Sequence, residues 1–326
     1  MRELIVGEIE GRRARLARAR SDGNGGFQIG EQMRFALSEA RAFEEKVAEF
    51  VAVSTATVRE AALAVGGPIE GKHARPTKES FVVSARQLQR QHSFARVVLM
   101  NDAVAFARGA VETPPEEFAE VVPGGGDPSS AIVVVGAGVG LGMATVRKVG
   151  GRWMAFESEG GHQAYAPCDV DEMALWQEQV TSKHYVTYED VISESGLLEA
   201  YRALSRAAGA APTLPNFAAV VEAARDRTSR AAVKACGIVA RSLATFSGNA
   251  CLAAGAKGGV IIGGSVGRAL EPFLMEESFA ARFRKRGAMT LYVADVPVRL
   301  MRDDMAVLRG LAAHCLNDEP ATAAAA

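Results

Sequence analysis

Several residue types that would place a protein at once are scarce in this sequence. There are 4 cysteines in 326 residues (Cys168, Cys236, Cys251 and Cys315), with no CxxC pair and no spacing suited to a metal. A disulfide framework is thereby set aside, and the pattern reads as reduced cytosolic thiols, most of them core residues. Aromatic residues make up only 6%, and charge of either sign is not in excess, with 37 Lys and Arg against 38 Asp and Glu. So even a balance removes the electrostatic case for nucleic acid or an anionic membrane as main partner. Long apolar runs are missing too. The longest, Ala131 to Val146, is broken by Gly136, Gly138, Gly140 and Gly142 and falls short of the roughly 20 residues that span a bilayer. The apolar run near the N-terminus is too short for a secretory signal, so a cytoplasmic location is expected. What is present is ordinary globular composition, 48% hydrophobic and 23% charged, which excludes intrinsic disorder. The length suggests two domains or one large one at about 100–200 residues per domain.

Hydrophobic patterning organises the chain. Leu4 to Ile9 and Ala14 to Ala19 flank a turn at Gly11 and predict a hairpin with one buried and one solvated face. Gly23, Gly25 and Gly26 mark a loop, and Met33, Ala36, Leu37, Ala40, Phe43 and Val47 follow helical spacing. Buried strands are expected at Ala61–Val65, Val97–Met100 and Ala131–Val135, with a Pro- and Gly-rich loop from Pro114 to Pro128. A glycine turn then leads to an apolar run, Met143–Val146, repeating the plan of the first hairpin. Helical patterns follow at Leu197–Ala207, Phe217–Ala254 and Val307–Leu316, and strands at Val260–Ile262 and Tyr292–Leu300. The tail ATAAAA is low in complexity and expected to fray. Two α/β halves, each opening with a glycine-turned hairpin, describe this order better than one open sheet.

Three clusters could carry chemistry. Gly136-Ala137-Gly138-Val139-Gly140-Leu141-Gly142 follows a buried strand, and glycines let backbone N–H groups approach an anion closely. A dinucleotide-binding fold would need a helix next; a β-branched run follows instead, leaving a phosphate-binding hairpin or an ordinary tight one. Glu157-Ser158-Glu159-Gly160-Gly161-His162 offers an acceptor and a donor to vicinal sugar hydroxyls, or else a solvated loop histidine. Asp102, after Asn101 at the end of a buried strand, could accept a proton from a substrate hydroxyl or cap a helix starting at Ala103.

LMNDAVA, VVGAGVGLGMA, ESEGGHQAYAP, VTYEDVISESGLLEAYRAL and FSGNACLAAGAKGGVIIGGSV occur in that order. The sequence resembles the bacterial glucokinase family, whose usual forms are LxNDFxA, GAGTGLGVA, GEGGHVDFAP, VSAERVLSGPGLxNLYRA and GNLAL…GGVxIAGG. The resemblance implies an α/β, two-domain actin-like (ribonuclease H-like) sugar kinase fold with an interdomain cleft. Residues 1–108 with 307–326 would form the small domain and 109–306 the large one. It implies Asp102 as the base toward a hexose 6-hydroxyl and Asn101, Glu159, His162 and Glu189 as sugar ligands. ATP, with Mg²⁺, would lie against Gly136, Gly138, Val139, Gly140 and Gly142, with Gly258, Gly259, Gly263 and Gly264 near the adenosine. No zinc cluster like that of the related repressor–kinase group has a counterpart here.

Departures concentrate in the first phosphate loop. The family's GDIGGTNARLA matches Gly7 to Ala17, so that Glu8 replaces Asp, Glu10 replaces Gly, and Arg12-Arg13 replace Thr-Asn, while Gly11 is kept. Val139 stands for a Thr, Lys78 for a sugar-contacting Asn, and Ala103 for an aromatic. Lys78 would recognise a carboxylate or phosphate on a modified sugar. The expected function is transfer of the ATP γ-phosphoryl group to the 6-hydroxyl of glucose or a related sugar. The alternatives are a catalytically impaired sugar sensor, or a kinase with an altered sugar or donor. Homodimers are common among soluble enzymes, but no interface is legible in the sequence.

Overall fold

A computed structural model of the chain describes residues 2–37, 40–53, 58–76 and 81–318. They form two compact units, the first comprising residues 1–113, 149–157 and 304–326 and the second 114–148 and 158–303.

The first unit is built on the expected hairpin. Strands β1 (Glu3–Glu10) and β2 (Arg13–Ser21) pair antiparallel and close at Glu10 opposite Arg13, where Gly11 takes a φ of +56°. Next come β3 (Phe27–Ala36), β4 (Glu60–Val65) and β5 (Arg96–Asn101), giving the sheet order β3-β2-β1-β4-β5. β4 lies parallel to both β1 and β5. The helical spacing from Met33 misleads: Met33, Phe35 and Ala36 belong to β3, and helix α1 (Ala40–Ala52) begins only after them. Phe27, Ile29, Met33 and Phe35 keep a strand's alternation, and the irregularity opposite Ala17–Ala19 of β2 puts the first two against one core and the last two against the other.

Both faces of this sheet are covered, not one. Ile5, Ile9 and Leu63 share a core with Phe43, Val47 and Phe50 of α1, while Leu4, Val6, Ala17 and Ala62 pack with Leu308 and Leu311 of the C-terminal helix Ala306–Ala313. The arginines alternating with alanine in β2 suggested solvent, yet Arg15 is only 5% exposed. Helix α2 (Asp102–Ala110) leaves the end of β5 and crosses the C-terminal helix backbone to backbone. A Cβ built on Gly109 would overlap the Ala306 carbonyl oxygen, and one on Gly310 would overlap that of Ala105.

The second unit repeats the plan. Its sheet is made of β6 (Phe118–Val122), β7 (Ile132–Ala137), β8 (Leu141–Val149), β10 (Gly259–Gly263) and β11 (Val298–Met301), continued by β9 (Arg152–Ser158), whose residues up to Glu157 are grouped with the first unit. They are ordered β9-β8-β7-β10-β11-β6, with β7 and β8 antiparallel and β7, β10 and β11 parallel. The loop expected from Pro114 to Pro128 contains β6, a strand whose Ala119, Val121 and Val122 are buried as it pairs antiparallel with β11. Its helices include α3 (Val170–Lys183), α4 (Tyr188–Val191), α5 (Glu194–Ala207), α6 (Phe217–Arg225), α7 (Arg230–Ala254) and α8 (Gly264–Ala269). The helical pattern Phe217–Ala254 is thus two helices, divided where Ser229 caps α7 by accepting from the Ala232 N–H. Of the strand expected from Tyr292 to Leu300, only the part from Val298 is extended; Thr290–Val293 is a helical turn. Three of the four cysteines are buried, Cys168 is exposed, and none forms a disulfide. Among the described residues no helix is long and apolar enough to cross a membrane. The ATAAAA tail lies outside the described residues.

The helix crossing makes a test whose sign opposes helix propensity. Alanine is a better helix former than glycine by about 1 kcal/mol, but here its methyl has no room. Gly109→Ala and Gly310→Ala are each expected to destabilise the first unit by about 3 kcal/mol, read from urea unfolding midpoints.

Candidate active site

In the first unit the C-terminal ends of the parallel strands β4 and β5 carry Gly66 and the pair Asn101-Asp102. Open α/β sheets receive ligands at such strand ends. The question whether Asp102 is a helix cap is answered by its neighbour. Asn101 is the cap, its Oδ1 accepting from the N–H groups of Ala103 (2.9 Å) and Val104 (3.2 Å). Its Nδ2 donates to the Gly67 carbonyl oxygen at 3.4 Å. Asp102 is the first helical residue, partly exposed, with Oδ1 accepting from the Ala103 N–H at 2.8 Å. A Cβ on Gly66 would come within 2.8 Å of Asp102 Oδ2, so glycine at that position lets the carboxylate lie against this turn.

Glu8 and Gly11 lie on the hairpin of the same unit. Glu8 shares its sheet face with Leu4 and Val6, and its directly opposed partner on β2 is Arg15. Arg15 Nη2 meets Glu8 Oε1 at 2.7 Å and donates to the Asp304 carbonyl oxygen at 2.6 Å, while Nη1 lies 3.4 Å from Asp304 Oδ2. Asp304 is held in turn by Arg34 at 2.7 Å. Burial pushes the Glu8 carboxyl up to about 7, and the attraction of Arg15 only partly offsets it, with Glu10 and Asp304 adding to the rise. Glu10 and Arg13, at the hairpin tip, are exposed and 3.9 Å apart. Lys78 lies outside the described residues.

In the second unit the glycine loop is the turn of the β7–β8 hairpin. The ladder runs to Ala137 opposite Leu141, and the Gly138 N–H donates to the Gly140 carbonyl at 2.8 Å. Two contacts hold this turn from the segment Tyr188–Glu194. Glu189 Oε2 accepts from the Leu141 N–H at 2.8 Å, and the Glu194 N–H donates to the Gly138 carbonyl at 2.9 Å. Glycines let two more pieces of backbone sit against the loop. A side chain at Gly264, where φ is +88°, would overlap Ala137 O, and one at Gly161 would overlap Leu141 O. Gly263 is level with Gly136 in the parallel ladder, so Gly263-Gly264 stands beside the loop. Gly259 pairs with Ile132 at the other end of β10, and a Cβ at Gly258 would meet the Ala131 and Ser130 carbonyls at 2.8 and 2.9 Å. Gly258-Gly259 is therefore not brought to the loop; close backbone approach explains it there.

Glu159 precedes the 3₁₀ turn Gly160–His162 and His162 ends it, with Oε2 and Nε2 3.8 Å apart and both side chains well exposed. Because Gly161 packs on Leu141, this turn is fixed to the same loop as Glu189. The structure thus gathers Glu159, His162, Glu189, Gly136–Gly142 and Gly263-Gly264 in the second unit, and Glu8, Gly11, Asn101 and Asp102 in the first. The segment between His162 and Glu189 is anchored by the fully buried Glu172, which pairs with Arg282 at 3.0 Å. Asp304, Glu194 and Ser265 were not singled out in the sequence. In the structure Ser193 caps α5 by accepting from the Gly196 N–H, which makes Glu194 by position an ordinary first-turn acid.

The chain is similar to known proteins in sequence and in fold. A sequence model described as Glucokinase matches residues 5–318. The glucokinase of Chromobacterium violaceum is 30% identical over 316 residues, covering 95% of this chain and 88% of its own. A glucokinase crystal structure from an Antarctic psychrotroph superposes with a TM-score of 0.80 at 26% identity, covering 98% of this chain and all of the other. The glucokinase of Balamuthia mandrillaris in complex with glucose has the same fold, with a TM-score of 0.82 at 19% identity over 95% of this chain and 92% of its own. The chain belongs to the glucokinase family, the two-domain actin-like sugar kinases.

Proposed function

We propose that this protein transfers the γ-phosphoryl group of ATP to the 6-hydroxyl of glucose or a closely related hexose, with Asp102 as the base. The observation that carries the proposal is the placement of Asp102. Its neighbour Asn101 does the capping, and its own carboxylate stands just past the C-terminal ends of the parallel strands, against Gly66. Asp102 takes the proton of the 6-hydroxyl as that oxygen bonds to phosphorus, and ADP departs with the electrons of the broken P–O bond. Glu159, His162 and Glu189 hold other hydroxyls of the ring, offering acceptors and an imidazole whose two nitrogens suit groups that both give and take hydrogen bonds.

The glycine loop fits a phosphate chain in kind. It is a tight hairpin turn with no side chain at alternate positions, held from behind by Glu189 and the Glu194 backbone. Catalysis of this kind consists mostly of positioning and electrostatic stabilisation, which rigid backbone donors supply. Glu8 does not fit a direct magnesium ligand, because its carboxylate is matched by Arg15 and drawn toward protonation. Among the described residues no group of three or more His, Cys, Asp or Glu side chains is poised for a metal. The magnesium is therefore assigned to the nucleotide substrate, arriving on its phosphates. The arginines at the first hairpin do not demand a different donor: Arg15 is spent on Glu8 and Asp304, and Arg13 is exposed beside Glu10.

A coupled ADP-release assay over a panel of hexoses tests the reaction. ATP consumption is expected only with sugar present, and Asp102→Asn is expected to lower kcat by about 10²–10⁴-fold with little change in sugar affinity. Glucose binding by calorimetry, with no ADP release under any hexose, would instead identify a sugar sensor. A second test concerns Glu8. Its folded pKa lies above the unfolded value of 4.5, so the folded state binds more protons, and this contribution to stability disappears as pH rises through about 7. Wild type is expected to lose on the order of 3 kcal/mol relative to Glu8→Gln between pH 5 and pH 8, measured by denaturant unfolding at each pH.

A further inference from the structure

Glu194 touches the glycine loop through its backbone and reaches away from it through its side chain. Its N–H donates to the Gly138 carbonyl at 2.9 Å, on the ascending side of the loop. Its carboxylate Oε1 accepts from Ser265 Oγ at 2.6 Å. Ser265 follows Gly264, the residue whose missing side chain lets the turn between β10 and α8 rest on Ala137. One residue therefore joins two separate pieces of backbone: the hairpin turn Gly138–Gly140 and the strand-to-helix turn Gly263-Gly264-Ser265. Glu189, five residues earlier on the same segment, holds the descending side of the loop at Leu141. The segment that carries both glutamates is itself well fixed. Ser193 caps α5 by accepting from the Gly196 N–H at 3.1 Å, and a side chain at Gly196 would crowd the Asp190 and Val191 carbonyls at 2.6 Å. The family's usual form has Gly-Pro where this chain has Glu194-Ser195, so the carboxylate link is a feature of this chain and not part of the shared motif.

We propose that Glu194 is a positioning residue for the nucleotide, its carboxylate–Ser265 hydrogen bond locking the strand-to-helix turn onto the glycine loop so that both present one fixed surface to ATP. This rests on the kinase reading for the identity of the ligand. Losing the link leaves the loop's own ladder intact but frees the two turns to move apart, so the cost falls on the nucleotide and not on the sugar. Gln at position 194 keeps an oxygen that accepts the Ser265 hydroxyl proton; Ala does not.

The test compares Glu194→Ala, Ser265→Ala and Glu194→Gln in the full chain, by steady-state kinetics with ATP and glucose varied separately and by calorimetry with magnesium-ATP. Glu194→Ala and Ser265→Ala are expected to raise KM for ATP and weaken magnesium-ATP binding about tenfold, the scale of a lost hydrogen bond to a charged group. KM for glucose is expected to stay within about twofold, and Glu194→Gln to recover most of the ATP affinity. Wild-type ATP affinity in Ser265→Ala, or equal rises in both KM values, overturns the proposal. If wild type releases no ADP with any hexose, the kinase reading falls while calorimetry still decides: a tenfold weakening in both alanine variants supports the link and unchanged binding rejects it. Absence of magnesium-ATP binding by wild type overturns both.

Discussion

Main chain lying directly on main chain is the constraint from which the rest of this structure follows. In the first unit, Gly109 and Gly310 let the helix that starts at Asp102 touch the C-terminal helix with no side chain between them. In the second, Gly161 and Gly264 admit two separate turns against the carbonyls of Leu141 and Ala137, the last ladder pair before the turn Gly138–Gly140. Each contact removes the freedom a side chain would otherwise leave at the interface. Packed interiors tolerate almost no extra volume, so such contacts fix positions to a fraction of an ångström. A phosphoryl-transfer site needs that precision, because its rate depends on alignment of the reacting groups more than on any covalent chemistry by the protein.

Charge is organised around the same frame. The hairpin of the first unit places Glu8 opposite Arg15, on the face that the C-terminal helix covers. Burial there is strong enough to raise the carboxyl despite the arginine, and Asp304 and Arg34 extend the chain of pairs to the surface. Where the family carries an Asp followed by small and polar residues, this chain has built an internal ion pair and an exposed Glu10–Arg13 tip. The second unit has kept its loop almost unaltered and supports it with carboxylates that serve as acceptors for backbone N–H and hydroxyl groups. The two hairpins, alike in topology, thus do different electrostatic work.

Much of the architecture was legible in local patterns. The hairpin turned at Gly11, the strands over Ala61–Val65 and Val97–Met100, and the glycine turn between two β runs all stand where alternation and glycine placed them, the Val97–Met100 strand running one residue further at each end. Local reading failed where tertiary partners chose the conformation. Met33–Leu37 fits a helix by spacing but is drawn largely into β3 by pairing with β2. Phe118–Val122 sits among prolines and glycines yet becomes an edge strand because β11 offers a ladder.

Sequence by itself determined the kinds of chemistry available: a carboxylate after a buried strand, an alternating-glycine turn, a Glu–Gly–Gly–His segment, and the order of motifs that marks ancestry. Those are properties of residue type and spacing along one segment, and they survive without knowing any distant neighbour. Only the tertiary structure decided that Asn101 and not Asp102 caps the helix, and that Arg15 is consumed by Glu8. It also separated Gly258-Gly259 from Gly263-Gly264 by the length of a strand and joined Glu194 to Ser265 across 71 residues of sequence. Each of those depends on which atoms lie within hydrogen-bond reach after the sheets form, information that no single segment carries.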